Sequence, residues 1–335
     1  MSLTGALYRI AALPPIPAAA RLAARRRLLV VCYHGLAPDD APLRHWLLVR
    51  RCEFAAQIRF LAGHYDCLPI DEALPRLWAG ELRRPTACVT FDDGYRSNIE
   101  IGLPVLREYG VPATIYLATG LIGTDQRLWP MTIELAFRAA AEGTAVDLSS
   151  LGRGTVTLGD ARSRHQLATS VTAQLKSSPM RERRVRADEL LARLGAGAPA
   201  DDGAFALMTW DEVATLAATG LVTFGGHTVH HEIVSQLDDA ALTAEVAGSV
   251  RTVAERVPNA ASRTFAYPNG RPQDYDPRAE RAVADAGCVA AVTTTVALNS
   301  HDTPHMRLRR VNVGGDMSLR RFVVAASGLT SFAVK

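Results

Sequence analysis

The sequence has no C-x-x-C pair. Its five cysteines, Cys32, Cys52, Cys67, Cys88 and Cys288, are odd in number and scattered. That excludes a thiolate zinc site of ordinary spacing, and it leaves buried free thiols in a reducing compartment as the expectation. There is no run of about 18 uninterrupted apolar residues, so no membrane-spanning helix is expected. Net charge is low, +3 at neutral pH, too little to call for a nucleic-acid partner. The N-terminal segment also lacks the order of an export signal. Pro14, Pro15 and Pro17 interrupt its apolar residues, and Arg25-Arg26-Arg27 follow them rather than precede them. The expectation is a cytoplasmic protein whose residues 1–27 form a helical arm, able to touch the inner membrane face peripherally. No internal repeat or low-complexity tract is present.

What is there is an alternating α/β pattern. The 335 residues, 48% hydrophobic and 21% charged, suffice for one large domain or two small ones. Apolar runs read as strands over Leu28–Tyr33, Ala87–Phe91, Ala113–Ala118, Val222–Gly225, Thr264–Tyr267, Val289–Thr293 and Leu308–Val313. They are apolar on both faces, as parallel strands covered by helices must be. Helices lie between them. Thr209 with Glu212 makes a capping box, and Asp276-Pro277 makes an N-cap followed by proline at the first helical position. Phe54, Ile58 and Leu61 fall on one helix face. Seven such strands predict a parallel α/β fold with barrel-like closure. Residues from about 125 to 206 break the rhythm with a mostly helical insertion, giving an arm over 1–27 and a main domain over 28–335.

Chemistry concentrates at strand ends, where parallel α/β folds bind ligands. Asp92 and Asp93 follow the run ending at Phe91. Adjacent carboxylates disfavour double ionisation, and a nearby cation relieves that cost. Helix capping is the competing explanation. Gly94 permits a tight turn. His227 and His231 follow the strand ending at Gly225. If the segment turns into a helix, their spacing puts both imidazoles on one face. Two histidines and a carboxylate are a frequent catalytic metal set. Thr228 stands where a zincin helix carries its glutamate, which excludes that class. The Tyr267-Pro268-Asn269-Gly270 turn offers backbone N–H groups to an oxyanion. His34 ends the first strand.

Together these features resemble carbohydrate esterase family 4, the polysaccharide deacetylases. Thr90-Phe91-Asp92-Asp93-Gly94 is similar to the family's T-F-D-D-G motif, and His227-Thr228-x-x-His231 to its H-[S/T]-x-x-H motif. The resemblance runs from about Leu28 to Val313. It implies an irregular (β/α) barrel and one divalent metal ion, most often Zn2+, with Co2+ or Ni2+ effective in some members. Asp93, His227 and His231 would bind the metal, and Asp92 would be the general base. The Asn269 N–H would serve as oxyanion donor, with Tyr95 and Tyr267 as substrate contacts. The substrate would be an N-acetylated amino sugar in a glycan or glycoconjugate precursor.

Two departures stand out. The family's third motif begins with arginine where this chain has Ala266, so the contact orienting the base is expected to be missing. The late Leu-x-His motif that supplies the acid has no match near Arg307–Val313, which makes His34 the candidate acid ahead of His305, His301 and His230. His45, His64 and His165 read as structural or exposed. Hydrolysis of a non-sugar amide, a silent sugar-binding module and a two-histidine iron oxygenase remain alternatives. Oligomeric state is open.

Overall fold

The computed structural model describes residues 11, 13, 15–195 and 203–329. The chain divides into two compact units, Met1–Thr124 with Ala206–Lys335, and Asp125–Phe205. Of the arm expected over 1–27, residues 1–10, 12 and 14 lie outside the described residues, and Pro15–Ala23 is helix α1.

The first unit continues with β1 (Leu28–Tyr33), β2 (Gly35–Ala37), β3 (Leu48–Arg50), α2 (Arg51–His64), β4 (Asp66–Cys67), α3 (Ile70–Trp78) and β5 (Thr86–Phe91). A π-helical turn at Asn98–Gly102 leads into α4 (Leu103–Tyr109), followed by β6 (Ala113–Leu117). The second unit holds α5 (Trp129–Ala139), the antiparallel pair β7 (Ala145–Asp147) and β8 (Thr155–Thr157), α6 (Ala161–Lys176) and α7 (Met180–Arg193). It has its own core, built on Ile133, Phe137, Leu148, Val171, Leu175 and Leu190. The chain then returns to the first unit as α8 (Trp210–Ala217), β9 (Val222–Gly226), α9 (Asp239–Arg256), β10 (Ala261–Ala266), α10 (Pro277–Asp285), β11 (Ala290–Val292), β12 (Val311–Asn312) and α11 (Leu319–Ala326).

Seven parallel strands run in the order β11-β10-β9-β6-β5-β1-β12, and β4 adds to the start of β5. The last segment joins the two edges. Leu308 bridges in parallel to Val292 of β11, and Val311 and Asn312 pair with Val31 and Cys32 of β1. The single strand expected over Leu308–Val313 therefore changes partner midway, and this gives the irregular barrel.

Local signals act as expected. Thr209 Oγ1 accepts the Glu212 N–H while Glu212 Oε2 accepts the Thr209 N–H, so α8 starts on a complete capping box. Asp276 Oδ1 accepts from the N–H groups of Arg278 and Ala279 at the start of α10. Phe54, Ile58 and Leu61 are fully buried along α2, each worth roughly 1.5–3 kcal/mol relative to exposure. Strand interiors and α3 share a core that includes Val30, Cys88, Tyr116, Ala266, Val292 and Leu308, with Ile70, Leu74 and Leu77 from the helix. All five cysteines are free; Cys32, Cys88 and Cys288 are buried, whereas Cys52 is exposed. Among the described residues, no helix is long and apolar enough to cross a membrane.

Candidate active site

β5, buried along its whole length, delivers Asp92 and Asp93 at its carboxyl end. The chain does not enter a helix there, so capping does not explain the pair. Asp93 (φ 76°) and Gly94 (φ 85°) are both left-handed and fold the backbone sharply back. Aspartate tolerates this region better than most residues. At Gly94 only glycine fits, because a Cβ would stand 2.7 Å from Leu117 Cδ2 and 2.9 Å from Ile122 Cδ1.

The loop after β9 brings the histidines to Asp93. It is not the helix that the spacing suggested, since Thr228 (φ 62°) and His231 (φ 58°) are themselves left-handed. His227 Nδ1 lies 2.7 Å from the Ala266 carbonyl, which it meets as donor, and this turns Nε2 toward Asp93. His227 Nε2 is 3.4 Å and His231 Nε2 3.3 Å from Asp93 Oδ1. That oxygen is buried and accepts no hydrogen bond of good geometry. Burial alone would raise the Asp93 pKa, but the two imidazoles outweigh it and hold the carboxyl well below its usual range. One carboxylate oxygen and two imidazole nitrogens thus converge, all within 4.8 Å of one another. A buried acceptor left unmatched is costly, and a divalent cation matches this donor set. Asp93, His227 and His231 therefore fit a metal ion with positions left open for water.

Asp92 points elsewhere. Its two oxygens take a fork from Arg310, Nη1 to Oδ1 and Nη2 to Oδ2, both at 2.7 Å. Arg310 is completely buried and comes from the partner-switching segment between Leu308 and β12. Its Nε donates to the Thr293 carbonyl, and its guanidinium carbon stands 6.0 Å over the Tyr116 ring. The Cys32 thiol lies 3.5 Å from Asp92 Oδ2 as a further donor. Burial would raise the Asp92 pKa, but Arg310 overrides it and keeps the carboxylate ionised. Oδ2 receives both Arg310 and the thiol, whereas Oδ1 receives Arg310 and retains a second lone pair, so the group can still take a proton.

This corrects the expectation that the base lacks its orienting arginine. Ala266 indeed offers no side chain for the task, but Arg310 does it from the segment that leads into β12. The sequence carried a signal: an arginine inside a strand run must be paired if buried. What it could not supply was the partner.

Of the candidate acids, the structure brings His34 to the site. A ring nitrogen of His34, Cys32 Sγ and an Asp92 oxygen lie within 4.8 Å of one another. His34 Nδ1 is buried without a hydrogen-bond partner, and burial lowers the ring's pKa against the pull of Asp93 and Asp92. Its backbone is held by Asn98 Nδ2, which donates to the His34 carbonyl from the π-helical turn. His305 instead stacks on Trp78, His301 pairs with Asp302, and His230 pairs with Glu245. His45 accepts the Leu47 N–H, His64 meets the Phe60 carbonyl, and His165 pairs with Glu134.

The proposed substrate contacts divide. Tyr95 is buried, its ring 3.6 Å from where a Gly35 Cβ would stand, beside the His34 backbone. Asn269 (φ 59°) lies on the turn after β10, where its carbonyl accepts from Thr294 Oγ1. Tyr267 is not brought to the carboxylates. Strand alternation turns it to the side of Phe265, opposite Ala266, and it stacks on Tyr275 with ring centroids 4.7 Å apart. Of the aromatic side chains that could stack on a sugar face, Trp46, Trp129, Trp210 and Tyr267, Trp46 is the one that lies against His34. The residue is 55% exposed, its ring centroid 5.5 Å from that of His34, and among the described residues it is the one exposed Phe, Tyr or Trp.

Comparison with known proteins agrees with this geometry. Residues 79–291 match the family model for polysaccharide deacetylase. The Bacillus subtilis (strain 168) protein YxkH, named for the same family, is 29% identical over 104 residues, a stretch spanning 30% of this chain and 36% of YxkH. IcaB from Ammonifex degensii has a similar fold, with a TM-score of 0.56 at 19% identity over 90% of this chain and 97% of IcaB. The Streptococcus pyogenes deacetylase PplD, solved in complex with acetate, gives 0.52 at 18% identity over 88% of this chain and 95% of PplD. Fold and site define a parallel α/β barrel with a carboxylate and two imidazoles gathered beside a second, arginine-held carboxylate. The chain belongs to the polysaccharide deacetylase family, hydrolases acting on the amide bonds of acetylated sugars.

Proposed function

We propose that this chain is a metal-dependent de-N-acetylase of an amino sugar within a glycan or glycoconjugate precursor. One observation carries the reading. Asp92, ionised and fixed by Arg310, stands next to the converging donors Asp93, His227 and His231. A divalent ion held by those three residues, Zn2+ by preference, supplies Lewis acidity and lowers the pKa of a water.

The protein's own groups do the rest. Asp92 takes the proton of the attacking water as the oxygen adds to the acetyl carbon. The Asn269 N–H faces the charge that develops on the carbonyl oxygen. His34, a stronger acid than an ordinary imidazolium because of its burial, then gives a proton to the amide nitrogen. The C–N bond breaks, and acetate and a free amino sugar leave. PplD's acetate is the small product of such a reaction. Trp46, exposed beside His34, offers an apolar face to a sugar ring. A cytoplasmic site of action, with peripheral contact to the inner membrane face through α1 and Arg25-Arg26-Arg27, accompanies this reading.

The test is hydrolysis of N-acetylated amino sugars, with a non-sugar amide panel alongside. Wild type should release acetate from the sugars, lose activity on chelation and regain it with Zn2+, Co2+ or Ni2+. Asp92→Asn and His227→Ala should be inactive. Full activity in both variants, or activity on the non-sugar amides alone, would refute the proposal.

A further inference from the structure

The loop that presents the two histidines is strained. Thr228 and His231 are both left-handed, within one short segment and without glycine. Each such residue costs of order 1–3 kcal/mol and persists only where the surroundings over-determine it. One side of the loop is held by backbone: the N–H groups of Thr119 and Gly120 donate to the carbonyls of Thr228 and Val229, at 3.2 and 2.8 Å. Thr228 Oγ1 also accepts the Glu232 N–H within the loop, and the other side is held by a carboxylate from α9. Glu245 Oε2 accepts the N–H groups of both Val229 and His230 at 2.8 Å, and Oε1 takes His230 Nδ1 at 2.7 Å. The side chain is 11% exposed, and Gly248 on the next turn of α9 leaves room for the Val229 side chain.

We infer that Glu245 is a positioning residue for the metal site: it clamps the backbone between His227 and His231 and so sets the spacing of their Nε2 atoms. This rests on the proposed metal site. Glu245 does not ligate the ion in this scheme, because its oxygens are engaged by Val229 and His230. His230 then has a role of its own, as the ring that completes the clamp from the loop side. Partners one step behind metal ligands are worth about 10- to 100-fold in metal affinity when removed, and Glu245 acts through two main-chain amides rather than through a ligand ring.

The experiment is Zn2+ titration of the full chain, stripped with a chelator, against a chromophoric competitor, with circular dichroism and thermal melting as fold controls. Glu245→Ala should remain folded and bind Zn2+ about 10- to 100-fold more weakly than wild type. Glu245→Gln keeps an acceptor oxygen for both amides and should recover most of that loss. If Glu245→Ala does not fold, Glu245→Asp, whose shorter arm cannot reach both amides, should show the weakened binding instead. Wild-type affinity in a folded Ala variant, or in the Asp variant, would overturn the inference, as would a Gln variant no better than Ala. Wild-type protein that takes up no Zn2+ would overturn the metal site itself, a different and separable failure.

Discussion

Arg310 and Asp92 form a fully buried, two-pronged ion pair with both bonds at 2.7 Å. The pair couples the last strand of the barrel to the carboxyl end of β5. Arg310→Lys removes the fork while keeping a charge, and a lysine cannot hold the carboxylate plane. It should lower kcat/KM by about two orders of magnitude, the scale of a misplaced catalytic group, with KM little changed.

Arg310→Met should act on stability, and with a reversed pH dependence. In wild type the Asp92 pKa is lowered, because Arg310 outweighs burial. Its ionisation therefore stabilises the fold above about pH 4, the unfolded carboxylate value, and that contribution is lost as pH falls through the lower folded value. Without Arg310, burial acts on Asp92 with far less opposition and its pKa rises. The metal-free variant should then lose stability as pH rises through about 4, reaching a deficit of about 3–5 kcal/mol at neutral pH. Urea unfolding of metal-free wild type and variant at pH 4 and pH 7 checks this. Equal deficits at both pH values would contradict it.

His34→Gln should reduce kcat by roughly 10²–10⁴-fold, the usual worth of a positioned general acid, without changing Zn2+ affinity. His305→Ala and His301→Ala should leave kcat at the wild-type level, since those rings are engaged by Trp78 and Asp302 rather than by the carboxylates. Steady-state kinetics on one N-acetylated substrate, with metal content measured alongside, decides between them.

Trp46→Ala should raise KM by about 2- to 10-fold, consistent with one aromatic contact of about 0.5–1.5 kcal/mol, and leave kcat nearly intact. Trp46→Phe should keep most of the affinity. Stability should move little, because the residue is more than half exposed. An unchanged KM in the alanine variant would remove Trp46 from substrate binding.

Gly94→Ala should be among the most damaging single methyl additions. It adds a Cβ at φ 85° into the Leu117 and Ile122 side chains. The left-handed penalty alone is about 1–2 kcal/mol, and overpacking adds about 1–3 kcal/mol. Thermal melting should fall markedly, and the variant should lose activity even where it folds, because Asp93 shares the same turn.

Much of this molecule is written locally. Strand runs such as Leu28–Tyr33 and the caps at Thr209 and Asp276 need only near neighbours, and they appear where the pattern puts them. Asp92, Asp93, His227 and His231 were legible for the same reason: each pair is a short motif at the end of an apolar run. The pleat direction at Tyr267 was not, because the strand's phase depends on which residues its neighbours turn inward. The conformation of the His227–His231 loop was also hidden. Spacing favoured a helix, whereas the loop is held in its left-handed form by contacts from distant elements, the Thr119 and Gly120 N–H groups on one side and Glu245 of α9 on the other.

The sequence by itself determined the alternating α/β fold, its strand ends and the two motifs there, since these depend on periodicity, capping and residue chemistry along a few positions. Tertiary structure alone decided which cation holds Asp92, which histidine stands beside it and how the last strand closes the barrel. Arg310 and Asp92 are 218 positions apart. No local preference can pair them; the barrel does, by bringing both into one buried space where neither charge is stable without the other.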